Sequence, residues 1–250
     1  MLMTEAGRGW REVNSLYDLN AIYDELFFDL SHAANIVKVA SGTVPLFIPP
    51  QLLGRILSPI AMGINGRNVF KGTSPLKEKL GTQCFSKQLS ILDNPHEDFS
   101  FHCAQADDAG IPTQKRMLVS DGVLNCFLYD YDTAALAAAT PTGNAGCSPY
   151  SMRVTPGKDS SEDIIKSIKH GIYAKHLLGF GQTNLENGDF SANLALGFLV
   201  ENGEIVGRVK DTMISGNIFD LLKGDILVSS DVHPQNKQPY MLMPGVALRA

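Results

Sequence analysis

The chain has 250 residues, 44% of them hydrophobic, enough for a sizeable core, and a net charge of −5 with both signs interspersed. That charge argues against a nucleic-acid surface, which needs a basic patch. No apolar run approaches the length of a membrane span, and residues 1–10 lack the order of a secretory signal, so the expected location is the cytoplasm.

From Leu16 to Val39 apolar residues recur at helical spacing, behind a Ser15/Asp18 cap signal, and predict one amphipathic helix. Val44–Ile48 reads as a short apolar strand. Pro49-Pro50 then opens a helix that Pro59 kinks or ends. Residues 63–81 read as loop, with a short helical candidate at Pro75–Leu80. Strand candidates follow at Gln88–Leu92 and Phe99–Gln105. Asp121-Gly122 signals a hairpin joining Gln114–Ser120 to Val123–Tyr129. A small helix is expected at Thr133–Ala139, a strand at Tyr150–Val154, and a helix from Ser160 or Ser161 through Leu177, stopped at Gly179. Asn217–Leu222 reads as helix, with closing strands at Asp225–Val228 and Met241–Leu248.

Between these last helices lies the most legible stretch, Gly188–Val209. Phe190, Ala192, Leu194, Leu196, Phe198 and Val200 alternate with more polar positions, and Asn202-Gly203 supplies a tight hairpin turn. Counting from that turn pairs Val200 with Ile205, Phe198 with Gly207 and Leu196 with Val209, with the even-numbered face buried. The expected fold is α+β, a mostly antiparallel sheet of long hairpins with segregated helices. No linker-like stretch divides it, so residues 1–250 read as one domain.

Several stretches closely resemble the C-terminal domain of the TldD/PmbA family. They are Gly179-Phe180-Gly181, Asn187-Gly188-Asp189-Phe190-Ser191, Glu201 to Ile205, and Ile214-Ser215-Gly216-Asn217 leading into Asp220-Leu221-Leu222. The resemblance covers the chain from about Asn14 onward; family members carry a further N-terminal domain that this chain is expected to lack. The family has an old association with DNA gyrase. Its catalytic branch, the resemblance implies, is a metallopeptidase with a His-Glu-x-x-x-His motif on the helix after the Val44–Ile48 strand and a cysteine near the C-terminus. Imidazole and thiolate hold zinc, and the glutamate activates the bound water. Here the corresponding helix, residues 54–63, contains no His, Glu or Cys, and residues 231–240 contain no Cys. Both halves of that site are missing, as in the PmbA (TldE) branch, which resembles a non-catalytic partner of the zinc-bearing subunit.

Other candidates for chemistry are weaker. His96, Asp98, Ser100 and His102 would share one face of a strand, where a solvated polar face is favoured over a metal site. Asp107-Asp108 before Ala109-Gly110 reads as a turn bonding its own backbone, although it resembles an acidic family turn. His170 and His176, six apart on the expected helix, make poor co-ligands. The four cysteines, Cys84, Cys103, Cys126 and Cys147, show no paired spacing and read as reduced thiols. Cys147 has no visible charge partner and reads as inert. Gly143, Asn144 and Gly146 match a family motif, and with Gly188, Asp189, Phe190 and Ser191 they form the expected set of motif or peptide-contact residues.

The expectation is therefore a zinc-less, cofactor-free subunit, not catalytic alone, handling peptide or unfolded protein within a complex. It would be a homodimer or a heterodimer with a zinc-bearing TldD-type relative, without nucleic acid or membrane. The alternatives are an independent hydrolase, using Cys147 and a distant histidine or unrecognised metal ligands, and a plain interaction module.

Overall fold

A computed structural model of the chain describes Leu2, residues 4–7, Gly9, residues 19–98 and residues 100–250. The Ser15/Asp18 cap, residues 16–18 of the first helix and Phe99 lie outside the described residues. In chain order the elements are α1 (Leu19–Ala33), β1 (Ile36–Val37), β2 (Gly42–Ile48), α2 (Pro50–Ile56), α3 (Ser58–Gly63), α4 (Gly66–Lys71) and β3 (Ile91–Asp93). Then come β4 (Arg116–Ser120), β5 (Val123–Leu124), α5 (Tyr131–Ala137), β6 (Met152–Val154), α6 (Ser161–Ser167) and β7 (His170–Leu178). The last are β8 (Asp189–Glu201), β9 (Glu204–Val209), β10 (Met213–Asn217), α7 (Ile218–Leu221), β11 (Leu227–Val232) and β12 (Pro239–Arg249).

The fold is α+β. Strands β8, β10, β12, β2 and β7 pair in that order, and β7 pairs back onto β8, so the path closes into a ring. Closure removes exposed strand edges. Strands β9 and β1 extend it from β8, β11 pairs with β12, and a second sheet runs β5-β4-β3-β6. Most pairings are antiparallel, but β1 runs parallel to β9 and β2 parallel to β7, so the large sheet is mixed. One hydrophobic core joins both sheets: Leu46, Ile48, Ile172 and Met243 from the ring meet Ile91, Leu118 and Val154 from the second sheet, with Leu53, Ile56 and Ile60 between.

The central hairpin forms about Asn202-Gly203, and Val200 pairs with Ile205 as the turn dictates. Beyond that the expected register fails. Leu199 pairs with Gly207 and Phe198 with Arg208, so Val206 is an extra residue bulged from β9. Asn35 explains the bulge: its Nδ2 donates to Val206 O at 2.8 Å, and its carbonyl accepts from Arg208 N at 2.7 Å. The even-numbered row of β8 is buried, yet it does not face one core. Phe190, Ala192 and Leu194 join the large core, whereas Leu196, Phe198 and Val200 pack with Ala33, Phe47, Ile164 and Tyr173. The switch comes from two further bulges. Ala174 pairs with Gly197, His176 with Leu196 and Leu177 with Leu194, leaving Lys175 and Ala195 as extra residues on opposite strands. Each extra residue shifts a period of two by one and sends the following side chains to the other face.

Residues 170–178 are the largest correction. The expected helix through Leu177 stops at Ser167, capped at its start by Ser160 accepting from Asp163 N. The apolar residues that mimic helical spacing, Ile172 and Leu177, belong to β7, which is buried from Gly171 to Lys175 between β2 and β8. A fully buried strand loses the alternation that would identify it. Elsewhere, residues 95–98 and 100–105 form turns and irregular chain rather than a strand, so the shared strand face expected for His96, Asp98, Ser100 and His102 does not form. The first helix ends at Ala33, and α4 occupies part of the expected loop, started by the Asn65 side chain and stopped by Gly72.

Candidate functional site

The helix after β2 splits at Leu57. Pro59 has no N–H to give the Arg55 carbonyl, and the Ser58 hydroxyl donates to it instead at 2.8 Å. Gln51, Gly54 and Arg55 lie on the exposed side of α2 while Leu52, Leu53 and Ile56 fill the core. The loop joining β11 to β12 comes back to this helix: Asn236 Nδ2 donates to Pro50 O at 3.0 Å. Residues 231–240, singled out in the sequence, therefore reach the start of the helix that leads into residues 54–63.

These two stretches bring one imidazole, the buried His233, whose Nδ1 accepts from Gln235 N at 3.4 Å, and the other polar groups beside it are committed elsewhere. Gln238 is buried and bridges to β6, donating to Met152 O and accepting from Val154 N. Gln235 donates to Gly9 O. Pro59 and Gly63 are buried, and Met62 offers a thioether. Hydroxyl, amide and thioether groups are poor zinc ligands beside imidazole and thiolate. Among the described residues no three His, Cys, Asp or Glu side chains lie close enough to hold a metal ion. The residues here do not fit a hydrolytic zinc.

Next to this helix the bulge at Lys175 has a second consequence. Arg55 Nη1 approaches Leu177 O at 3.5 Å, and Lys175, with 8% of its side chain exposed, lies 3.2 Å from Asp29 Oδ1 and 3.7 Å from Glu25 Oε1 on α1. Thr4 Oγ1 donates to the other Asp29 oxygen at 2.6 Å. His176 is half-buried beside them; burial pulls its pKa below the ordinary value, against the opposing pull of Asp29.

The Gly143–Cys147 loop is structural. Gly143 has φ +73°, and a Cβ there would sit 2.3 Å from Pro112 O. Asn144 is buried and spends its amide protons on Asp93 Oδ2 and Ser148 O, both at 3.1 Å. Gly146 O accepts from Asn65 Nδ2. Cys147 is fully buried, and its Sγ accepts from Asp130 N at 3.2 Å, so no substrate reaches it. His96 Nε2 pairs with Thr113 Oγ1, and Asp107 Oδ1 accepts from Ala109 and Ile111 N, a turn bonding its own backbone. His170 and His176 lie on β7, the first exposed and 3.5 Å from Glu201.

The Gly188–Ser191 motif sits at an opening. Gly188 has φ +84°, and a Cβ there would meet the Phe219 ring at 2.5 Å. Asn217 holds the corner: its Nδ2 donates to Asn187 O and Asp189 Oδ1, and its Oδ1 accepts from Asp220 N at the start of α7. Phe190 is buried against Phe180, and Ser191 pairs with Ser215. Asn187, Asn217 and Phe219 line a cavity of about 500 Å³ completed by residues 75–85 and by Lys223. Sequence reading missed Lys79, Gln83 and Lys223. They reach this corner because Ser86 N donates to Leu222 O, a long-range contact with no local signal.

A family profile described as the PmbA/TldA metallopeptidase C-terminal domain matches residues 41–249. The chain belongs to the PmbA/TldD family. It is 29% identical to an uncharacterized protein of Methanocaldococcus jannaschii over 96% of this chain and 57% of that protein. It is 30% identical to the metalloprotease TldD homolog of Buchnera aphidicola, over 78% of this chain and 42% of that protein. The crystal structure of TldE from Thermococcus kodakarensis matches with TM-score 0.85 and 28% identity, covering 96% of this chain and 57% of that one. The chain thus spans about half the length of these PmbA/TldD relatives. No helix among the described residues is long and apolar enough to cross a membrane.

Proposed function

We propose that this chain is a zinc-less, non-catalytic subunit of a PmbA/TldD metallopeptidase system, pairing with a zinc-bearing relative and helping to enclose its peptide substrate in the cytoplasm. One observation carries the reading. Of the two stretches that would supply zinc ligands in the family's catalytic branch, residues 54–63 carry no His, Glu or Cys, residues 231–240 carry one imidazole, His233, and no Cys, and no three His, Cys, Asp or Glu side chains among the described residues cluster to hold a metal. A buried, backbone-bonded Cys147 speaks against the cysteine-hydrolase alternative.

Pairing has a surface to use. Leu19, Tyr23, Phe27 and Leu30 form one stripe of α1, each more than half exposed, with Ile36 of the edge strand beyond. Mixed with a zinc-bearing relative, the chain is expected to co-elute with it and raise chelator-sensitive peptidase activity several-fold. Phe27→Glu should abolish both while leaving the chain folded. Unchanged peptidase activity and separate elution would defeat the proposal.

A further inference from the structure

We propose that the cavity beside Asn187 binds the C-terminal residue of a peptide, its carboxylate on Lys79 and its apolar side chain on the Phe85 and Phe219 rings. The inference deepens the peptide-handling reading and rests on it only for choosing a peptide end as the ligand. The cavity's own chemistry points to an apolar carboxylate. Its floor is buried and hydrocarbon: Leu76, Phe85 and Phe219, with the two rings stacked at 6.4 Å and 26°. Its rim is polar and accessible. A concave apolar floor with a few converging polar groups is the usual form of a small-ligand site, and about 500 Å³ is within the usual range.

The charges on the rim set the ligand's sign. Lys223 Nζ is held by Asp220 Oδ1 at 2.9 Å, so that pair adds no net charge. Among the described residues Lys79 has no carboxylate within ion-pair range, which leaves one uncompensated ammonium at the rim. The free amides set its shape. Gln83 donates to the carbonyls of Phe85 and Asp121, leaving its side-chain oxygen to accept a peptide N–H. Asn187 is gripped through its backbone carbonyl by Asn217, so its side-chain amide can donate to the ligand's carboxylate. An ammonium and an amide donor for a carboxylate, an acceptor for the adjoining N–H and a phenyl-lined floor together describe an N-acylated apolar amino acid.

Gly188 shows that the motif serves this opening. The Phe219 ring lies where a Gly188 side chain would be, so the glycine lets the ring take its place in the cavity wall. Asn217 is saturated by its own bonds and acts as a positioning residue.

The test uses the full chain and two probes, N-acetyl-phenylalanine and its amide, with binding followed by calorimetry and by chemical shifts. The acid should bind at least tenfold more tightly than the amide. Lys79→Met should remove that preference, with an unchanged circular dichroism spectrum and melting temperature. Lys79→Arg should retain most of it, and Lys71→Met on α4, away from the cavity, should retain all of it. Equal binding of acid and amide, no binding of either at millimolar concentration, or an unaltered preference in Lys79→Met would overturn the proposal. Zinc bound by a chain that still prefers the acid would instead defeat the non-catalytic reading and leave this one standing.

Discussion

Lys175 is the residue with most at stake for its size. It is the extra residue of a bulge in β7, buried among the Phe28 and Tyr173 rings at under 6 Å, with Asp29 as its closest carboxylate. Removing one member of a buried pair strands the other in a medium that solvates it poorly. Lys175→Met should therefore cost about 3–5 kcal/mol in denaturant unfolding, and adding Asp29→Leu should recover much of the loss. Additive losses in that double-mutant cycle would show that the two side chains do not interact. His176, the next residue, carries a pH dependence of opposite origin. Burial is the main reason its pKa falls below 6.5, with Asp29, Lys175, Glu5 and Glu25 as the surrounding charges. The unfolded chain therefore takes up the proton first as pH falls, and stability is lost below about pH 6.5. His176→Gln should unfold with a smaller loss between pH 7.5 and 5.5 than the parent chain. An identical pH slope in the two proteins would contradict this.

At the scale of elements, β8 organises the ring through its pairings with β10, β9 and β7. Phe198 is fully buried and meets Phe28 edge-on at 6.2 Å and Tyr173 at 6.3 Å. Phe198→Ala should cost about 3–5 kcal/mol, and a loss below about 1 kcal/mol would mean this face is not packed. The strand and its turn were legible because alternation and Asn202-Gly203 are local signals. The register beyond Val200 was not, because the bulge at Val206 is fixed by Asn35, which is distant in sequence. Strand β7 was hidden for a related reason. Buried on both faces, it carries Ile172 and Leu177 at a spacing that also suits a helix, and only pairing with β2 and β8 decides the matter. Helix α4 needed recognition of Asn65 as its cap within a stretch that reads as loop. The motif at Gly188 was visible in sequence, but its use was not: the lysines around the cavity arrive on segments far from it along the chain.

At the scale of the whole molecule, the fold brings the β11–β12 loop, with its single imidazole His233, against the start of α2, and no three His, Cys, Asp or Glu side chains among the described residues gather to hold a metal. The chain shares the family fold with relatives about twice its length. What it does within such an assembly turns on whether it carries its own reactive metal. The direct measurement is the zinc content of the purified chain, equilibrated with zinc without chelator and then freed of loosely bound ion, alongside its own peptidase activity. The account predicts far less than one zinc per chain and no chelator-sensitive cleavage. One tightly held zinc per chain, with peptidase activity that a chelator removes and zinc restores, would contradict it.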